Sequence, residues 1–176
     1  MSRWHLFEWE DQPWFPEILR NHLTDHLRLA LGSRRAAPLH CAIADILHPA
    51  MVRLRTHEII DLCSGAGGPM LAVQQQLRSG KAFPTTVTLT DLYPNTTAFQ
   101  EAESVSDGSV RALREPVSVF DVPSNLSGIR TLFTAFHHFR PADARRILQD
   151  AVAKRRGIAV FEPFERALGT AIRLGT

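Results

Sequence analysis

Residues 61–70 read DLCSGAGGPM, and they follow the apolar run HEIIDL at 57–62. A buried strand therefore runs straight into Gly65, Gly67 and Gly68, three glycines within four positions. Glycine reaches left-handed backbone angles at no Cβ cost and lets another group approach the main chain closely. Pro69 suits the first turn of a helix, where its missing N–H is not needed. The stretch predicts strand, glycine loop and helix, with the free N–H groups of the helix start near whatever the loop approaches. One glycine would suffice for a tight turn with no ligand, whereas three favour a ligand loop.

Working outward, short apolar runs alternate with helical segments. TTVTLTD at 85–91, EPVSVFD at 115–121, IRTLFTAF at 129–136 and GIAVFE at 157–162 are further predicted strands. PMLAVQQQL, Asn95–Ser104 and Pro141–Lys154 are the intervening helices, and Ser104–Ser109 is the expected flexible piece. Such alternation predicts an α/β fold, a Rossmann-like three-layer sandwich with a mostly parallel sheet and right-handed crossovers. Before Arg55 the pattern is helical. Ile18, Leu19, Leu23, Leu27 and Ala30 recur at helical spacing, and a second helix is expected over about Pro38–Leu54, kinked or broken at Pro49. Residues 1–54 are read as an N-terminal helical cap and 55–176 as the core of one domain overall.

The bulk composition excludes several classes. The chain has 176 residues, 44% hydrophobic and 22% charged, with a net charge of +2, which fits a globular protein and not a polyanion binder. Two cysteines, Cys41 and Cys63, build neither a disulfide framework nor a metal site. His22 and His26 share a helix face, but no third metal ligand accompanies them. With no signal pattern and no long apolar run, a cytoplasmic location is expected, with no membrane and no nucleic-acid partner.

The ligand is narrowed by charge. A dinucleotide loop needs a third glycine where Met70 stands, and a phosphate loop needs Gly-Lys-Ser/Thr, which is absent. Asp61, just before the loop, disfavours pyrophosphate and suits a cationic group. Asp91 and Asp121 repeat the arrangement at the ends of the second and third predicted strands. An acid at the second can take ribose hydroxyls, and one at the third can accept from an adenine amino group. Together the three outline a nucleoside carrying a cationic amino acid.

DLCSGAGGP, TLTDLYPN, VFDVP and AFHHF resemble motifs I to IV of the class I S-adenosylmethionine-dependent methyltransferases, over roughly Arg55–Pro163. The resemblance implies S-adenosyl-L-methionine as cofactor. It assigns Asp61, Gly65 and Gly67 to the methionine moiety, Asp91 to the ribose, and Asp121 with Val122 to the adenine, with Cys63 and Leu92 as further cofactor-binding residues. Phe136 and His137 would lie beside the transferred methyl.

Methyl transfer by in-line displacement asks for alignment, short approach and exclusion of water, and for a base only when the acceptor must lose a proton. His137 and His138 are the candidate bases, with packing against the cofactor or capping of the next helix as the alternative. The position where base-modifying amino-methyltransferases carry a D/N-P-P-Y/F tetrapeptide reads Phe136-His137-His138-Phe139, which favours a small-molecule acceptor. The dense aromatics Trp4, Phe7, Trp9, Trp14 and Phe15 are expected either to cover the site or to pack on the sheet or a partner chain.

The family sheet has seven strands, and five are expected here before Thr176. The C-terminal strands are thus read as truncated, with either a fragment or a second copy completing the open sheet edge. The alternatives to a small-molecule methyltransferase are an inactive cofactor-binding remnant of the same fold and, less favoured, a NAD-dependent oxidoreductase.

Overall fold

The computed structural model describes residues 12–162. Trp4, Phe7, Trp9 and the predicted final helix lie outside the described residues. Two helices come first, α1 (Glu17–Gly32) and α2 (Ala37–Leu54), joined by a short turn at 34–36. There follow β1 (Glu58–Leu62), α3 (Met70–Gln75), β2 (Thr86–Leu89), α4 (Thr96–Ser104), β3 (Val110–Ala112), β4 (Ile129–Phe133), α5 (Pro141–Ala153) and β5 (Ile158–Phe161).

The five strands form one sheet, parallel throughout, in the order β3-β2-β1-β4-β5. This is the strand order of a doubly wound α/β sheet, and the order in which strands are added reverses between β1 and β4. In the register, Ile59 pairs with Val87 on one side and Ile129 on the other. Ile59 and Ile129 join one apolar cluster with Ile43, Leu47 and Met51 of α2 and Met70 and Val73 of α3. Ile60, Leu62 and Leu132 point the opposite way and pack with Ile147 of α5 and with Val119 and Val122. Both sheet faces are covered, which is why all of Ile129–Phe133 in β4 are buried.

Its one charge, Arg130, is buried on the α5 face and bonded to Asp150 at 2.8 Å, and Asp150 also holds Lys154 at 2.7 Å. A buried guanidinium persists only when paired in this way.

Four sequence expectations need correction. The third strand is Val110–Ala112, paired with Val87–Leu89, and EPVSVFD is irregular. The chain leaves the sheet after Ala112, and Pro116 has no N–H to give a ladder; Val117 N–H instead reaches the Asp91 carbonyl at 2.8 Å. Val117 and Val119 alternate like a strand because both are buried, not because they pair. Secondly, α2 runs through Pro49 without a break and ends beyond it, where Arg55 takes a left-handed angle (φ 51°). The Arg55 and Thr56 N–H groups close that end on Val52 and Met51 carbonyls. Burial of Ile43, Leu47 and Met51 on both sides of the proline outweighs one missing hydrogen bond. Thirdly, β4 stops at Phe133, and Phe136–His138 form a tight 3-10 turn. Fourthly, 104–109 is a hydrogen-bonded turn in which Ser106 Oγ accepts the Val110 N–H.

Candidate functional site

The carboxyl ends of β1, β2 and β4 open into a cavity of about 810 Å³, roofed by Arg20, Leu23, Thr24, Leu27 and Leu31 of α1. This is the place where the strand order reverses, and where open α/β sheets bind ligands.

The glycine loop forms one wall. Cys63 has φ 55°, Gly65 φ 55° and Gly68 φ 38°, all left-handed. A Cβ on Gly65 would sit 3.0 Å from Thr24 Cγ2, so α1 rests directly on the loop. A Cβ on Gly68 would meet nothing within 4 Å, and Gly68 lines the cavity. The loop is closed internally by the Gly67 N–H on the Ser64 carbonyl at 2.8 Å.

Two carboxylates stand in the same wall. Asp61 is almost fully buried at the end of β1, and Thr131 Oγ1 of β4 donates to its Oδ1 at 2.7 Å. Burial pushes its carboxyl up to about 7, against the Thr131 and Ser64 hydrogen bonds, and the charge of Asp91 adds to the rise. Asp91 lies two residues past the end of β2. Its Oδ2 accepts the Gly65 N–H at 2.7 Å and its Oδ1 the Tyr93 N–H at 2.8 Å. Burial raises this carboxyl too, opposed by backbone N–H groups and by the Arg20 charge. Arg20 packs over the Tyr93 ring at 4.0 Å and donates to the Gln12 carbonyl at 2.8 Å.

Opposite, the loop after β4 supplies Thr134, Ala135, His137, His138 and Phe139. Thr134 is a β-branched residue at φ 51°, held by its N–H on the Phe161 carbonyl at 2.9 Å. Such an angle costs on the order of 1–3 kcal/mol and is concentrated at ligand sites. His137 Nδ1 lies 2.7 Å from Glu162 Oε2, and the His137 backbone N–H reaches Oε1 at 3.1 Å. The His137 and His138 rings stand 4.5 Å apart.

Of the sequence-predicted residues, Asp61, Cys63, Gly65, Asp91, Leu92, His137 and His138 line the cavity. Gly67 shapes the loop behind it. Three lie elsewhere. Asp121 is exposed and paired with Lys154 at 2.6 Å, Val122 is buried in the α5-side core, and Phe136 packs against that same core. The sequence placed Asp121 on a strand that does not form; Val117–Phe120 reach the cavity instead. Sequence reading missed Arg20, Thr24, Ser64, Tyr93, Ser118, Thr134 and Glu162 at the cavity wall. Glu162 ends a predicted strand, as the three acids did, and that signal pointed to it.

Among the described residues no group of three or more His, Cys, Asp or Glu is placed to hold a metal ion, and no helix is long and apolar enough to cross a membrane. Neither cysteine is in a disulfide.

No protein-family model matches the chain, and no curated protein matches it. Among solved structures it is similar to an O-methyltransferase family protein from Burkholderia thailandensis, at 20% sequence identity and a TM-score of 0.49. The match covers 76% of this chain and 37% of that one.

Proposed function

We propose that the cavity holds S-adenosylmethionine and that the protein transfers its methyl group to a small molecule. The observation that carries this reading is the convergence of Asp61, the Gly65 loop and Asp91 on one wall. That donor set is matched to a nucleoside bearing a cationic amino acid and poorly matched to a pyrophosphate, which two carboxylates would repel. Asp91 accepts the Gly65 N–H on Oδ2 and the Tyr93 N–H on Oδ1, with Leu92 N–H as a third backbone donor, and a carboxylate with about four lone-pair sites keeps capacity for a ribose hydroxyl. Asp61, ionised above about pH 7, supplies negative charge for the ammonium end, and Gly68 leaves open space on the cavity wall. Leu92, Tyr93 and Val117–Phe120 form the side on which a purine would lie, with Ser118 as its polar member.

When bound, the cofactor supplies a methyl group on a positively charged sulfur. The chain's residues align the acceptor for in-line displacement and exclude water. Leu23, Leu27 and Leu31 of α1 with Phe133 and Phe139 make the remaining wall largely apolar, which supports an apolar or aromatic acceptor. The volume falls in the upper part of the range of about 300–1,000 Å³ usual for small-molecule sites, leaving room for a second ligand.

The test is incubation with methyl-labelled S-adenosylmethionine and a panel of small aromatic acceptors. Label transfer that disappears in Asp91→Ala supports the reading. A protein that binds S-adenosylhomocysteine yet labels nothing would be a binding protein and not an enzyme.

A further inference from the structure

Asp61 is a buried carboxylate with no cation of its own. The residue is 2% exposed and lines the cavity. Its donors are hydroxyls, Thr131 Oγ1 at 2.7 Å and Ser64, and the charge that acts on it is another acid, Asp91. Among the described residues no Lys, Arg or His pairs with it. Elsewhere the chain treats such a group differently: Asp150 holds both Arg130 at 2.8 Å and Lys154 at 2.7 Å. A buried carboxylate stays ionised without a cation only at a large cost. A cationic ligand is what completes Asp61.

The charged side chains of the cavity wall are Arg20, Asp61, Asp91 and Glu162. Glu162 is engaged with His137. Arg20 lies close enough for its charge to act on Asp91. One guanidinium against Asp61 and Asp91 leaves a single negative charge when both acids are ionised. In S-adenosylmethionine the ammonium and carboxylate cancel and the sulfonium remains, a single positive charge. S-adenosylhomocysteine has no sulfonium and is neutral overall.

We infer that Asp61 makes the cavity select the cofactor by charge, holding the sulfonium form and disfavouring the neutral thioether left after transfer. This rests on the methyl-transfer reading above. In transfer the methyl carbon bonds to a lone pair of the acceptor, and the carbon–sulfur bond pair stays on sulfur. The positive charge thus leaves the sulfur, the cavity keeps an uncompensated negative charge, and release of the spent cofactor is favoured. Protonation of Asp61 removes the selection. Facing it are Thr131 of β4, Ser64 of the loop, Met70 of α3 with Sδ 3.9 Å from Thr131 Oγ1, and Asp91 after β2. Of these only Asp91 is charged, and Arg20 of α1 acts on Asp91. The Asp61 carboxyl titrates near 7, so the selection is present above that pH and is lost as pH falls through it.

The test is calorimetric titration of the full chain with S-adenosylmethionine, S-adenosylhomocysteine and sinefungin, in which a protonated amine replaces the sulfonium. At about pH 7.5 the two cationic ligands should bind at least about tenfold more tightly than S-adenosylhomocysteine. At about pH 5.5 that ratio should fall toward one. In Asp61→Asn it should stay small at both pH values, and Asp61→Glu should restore its pH dependence. The wild-type comparison stands without either variant.

S-adenosylhomocysteine binding as tightly as S-adenosylmethionine at the higher pH would overturn the inference. A ratio that ignores pH, or survives Asp61→Asn, would too, because selection would then come from contact with the methyl group. Sinefungin behaving like S-adenosylhomocysteine would have the same meaning. Binding of none of the three by a folded sample would instead sink the methyl-transfer reading, and this inference with it.

Discussion

Asp91 takes the backbone N–H of Gly65 on its Oδ2 at 2.7 Å, so the carboxylate after β2 holds the glycine loop after β1. The loop's shape therefore depends on one side chain, which on the proposed reading is also the acceptor for a ribose. Asp91→Ala removes both, and S-adenosylhomocysteine affinity should fall by about 10²-fold or more, since an unpaired buried N–H adds roughly 1–3 kcal/mol to the lost contacts. Isothermal titration of the folded variant checks this. Unchanged affinity would remove Asp91 from the site.

Gly65 is pressed against Thr24 at a left-handed angle. Gly65→Ala should lift α1 from the loop and weaken cofactor binding at least tenfold, with the sheet intact by circular dichroism. Adding Thr24→Ser, which deletes the Cγ2 that the new methyl meets, should recover part of that loss. No recovery would show that backbone strain alone carries the effect.

The fold was legible wherever sequence period and sheet pairing coincide. HEIIDL, TTVTLTD and GIAVFE contain β1, β2 and β5 because strands of a parallel sheet with both faces covered need short apolar β-prone runs, and nothing local competes with them. EPVSVFD failed because the same alternation arises when an irregular segment buries every second side chain. That error moved Asp121 into the site on paper, while its carboxylate is on the surface with Lys154. Thr134 and Arg20 were not legible as site residues because tertiary placement, not motif spacing, brings them to the cavity.

Asp61 makes stability depend on pH. Its folded-state carboxyl titrates near 7, above the ordinary value of 3.8, so the folded state binds the proton more tightly than the unfolded. Its contribution is complete below about pH 4, is lost as pH rises toward about 7, and changes little beyond. Over that window the loss is of the order of a few kcal/mol. Asp61→Asn should flatten this part of the stability–pH curve in urea titrations. On the proposed reading it should also weaken S-adenosylhomocysteine binding above pH 7, where the ionised wild-type group would face the ammonium. A wild-type curve with no fall between pH 4 and 7 would contradict the assignment.

Asp150 partners the buried Arg130 and also Lys154. Burial acts to raise its carboxyl, yet the bonds from Lys154 and Arg130 win and hold it below the usual range. Asp150→Ala leaves Arg130 uncompensated and should destabilise the fold by about 3–5 kcal/mol. Chemical denaturation at neutral pH measures it. A loss under about 1 kcal/mol would mean the pair is readily solvated.

On the proposed reading the glycine loop and its two carboxylates receive a nucleoside with a cationic amino acid. Calorimetric titration of the wild-type chain with S-adenosylhomocysteine, with NAD as the control, tests it most directly. Saturable one-to-one binding of the first and none of the second is the predicted result. Binding of NAD in preference, or of neither by a sample shown to be folded, would contradict it.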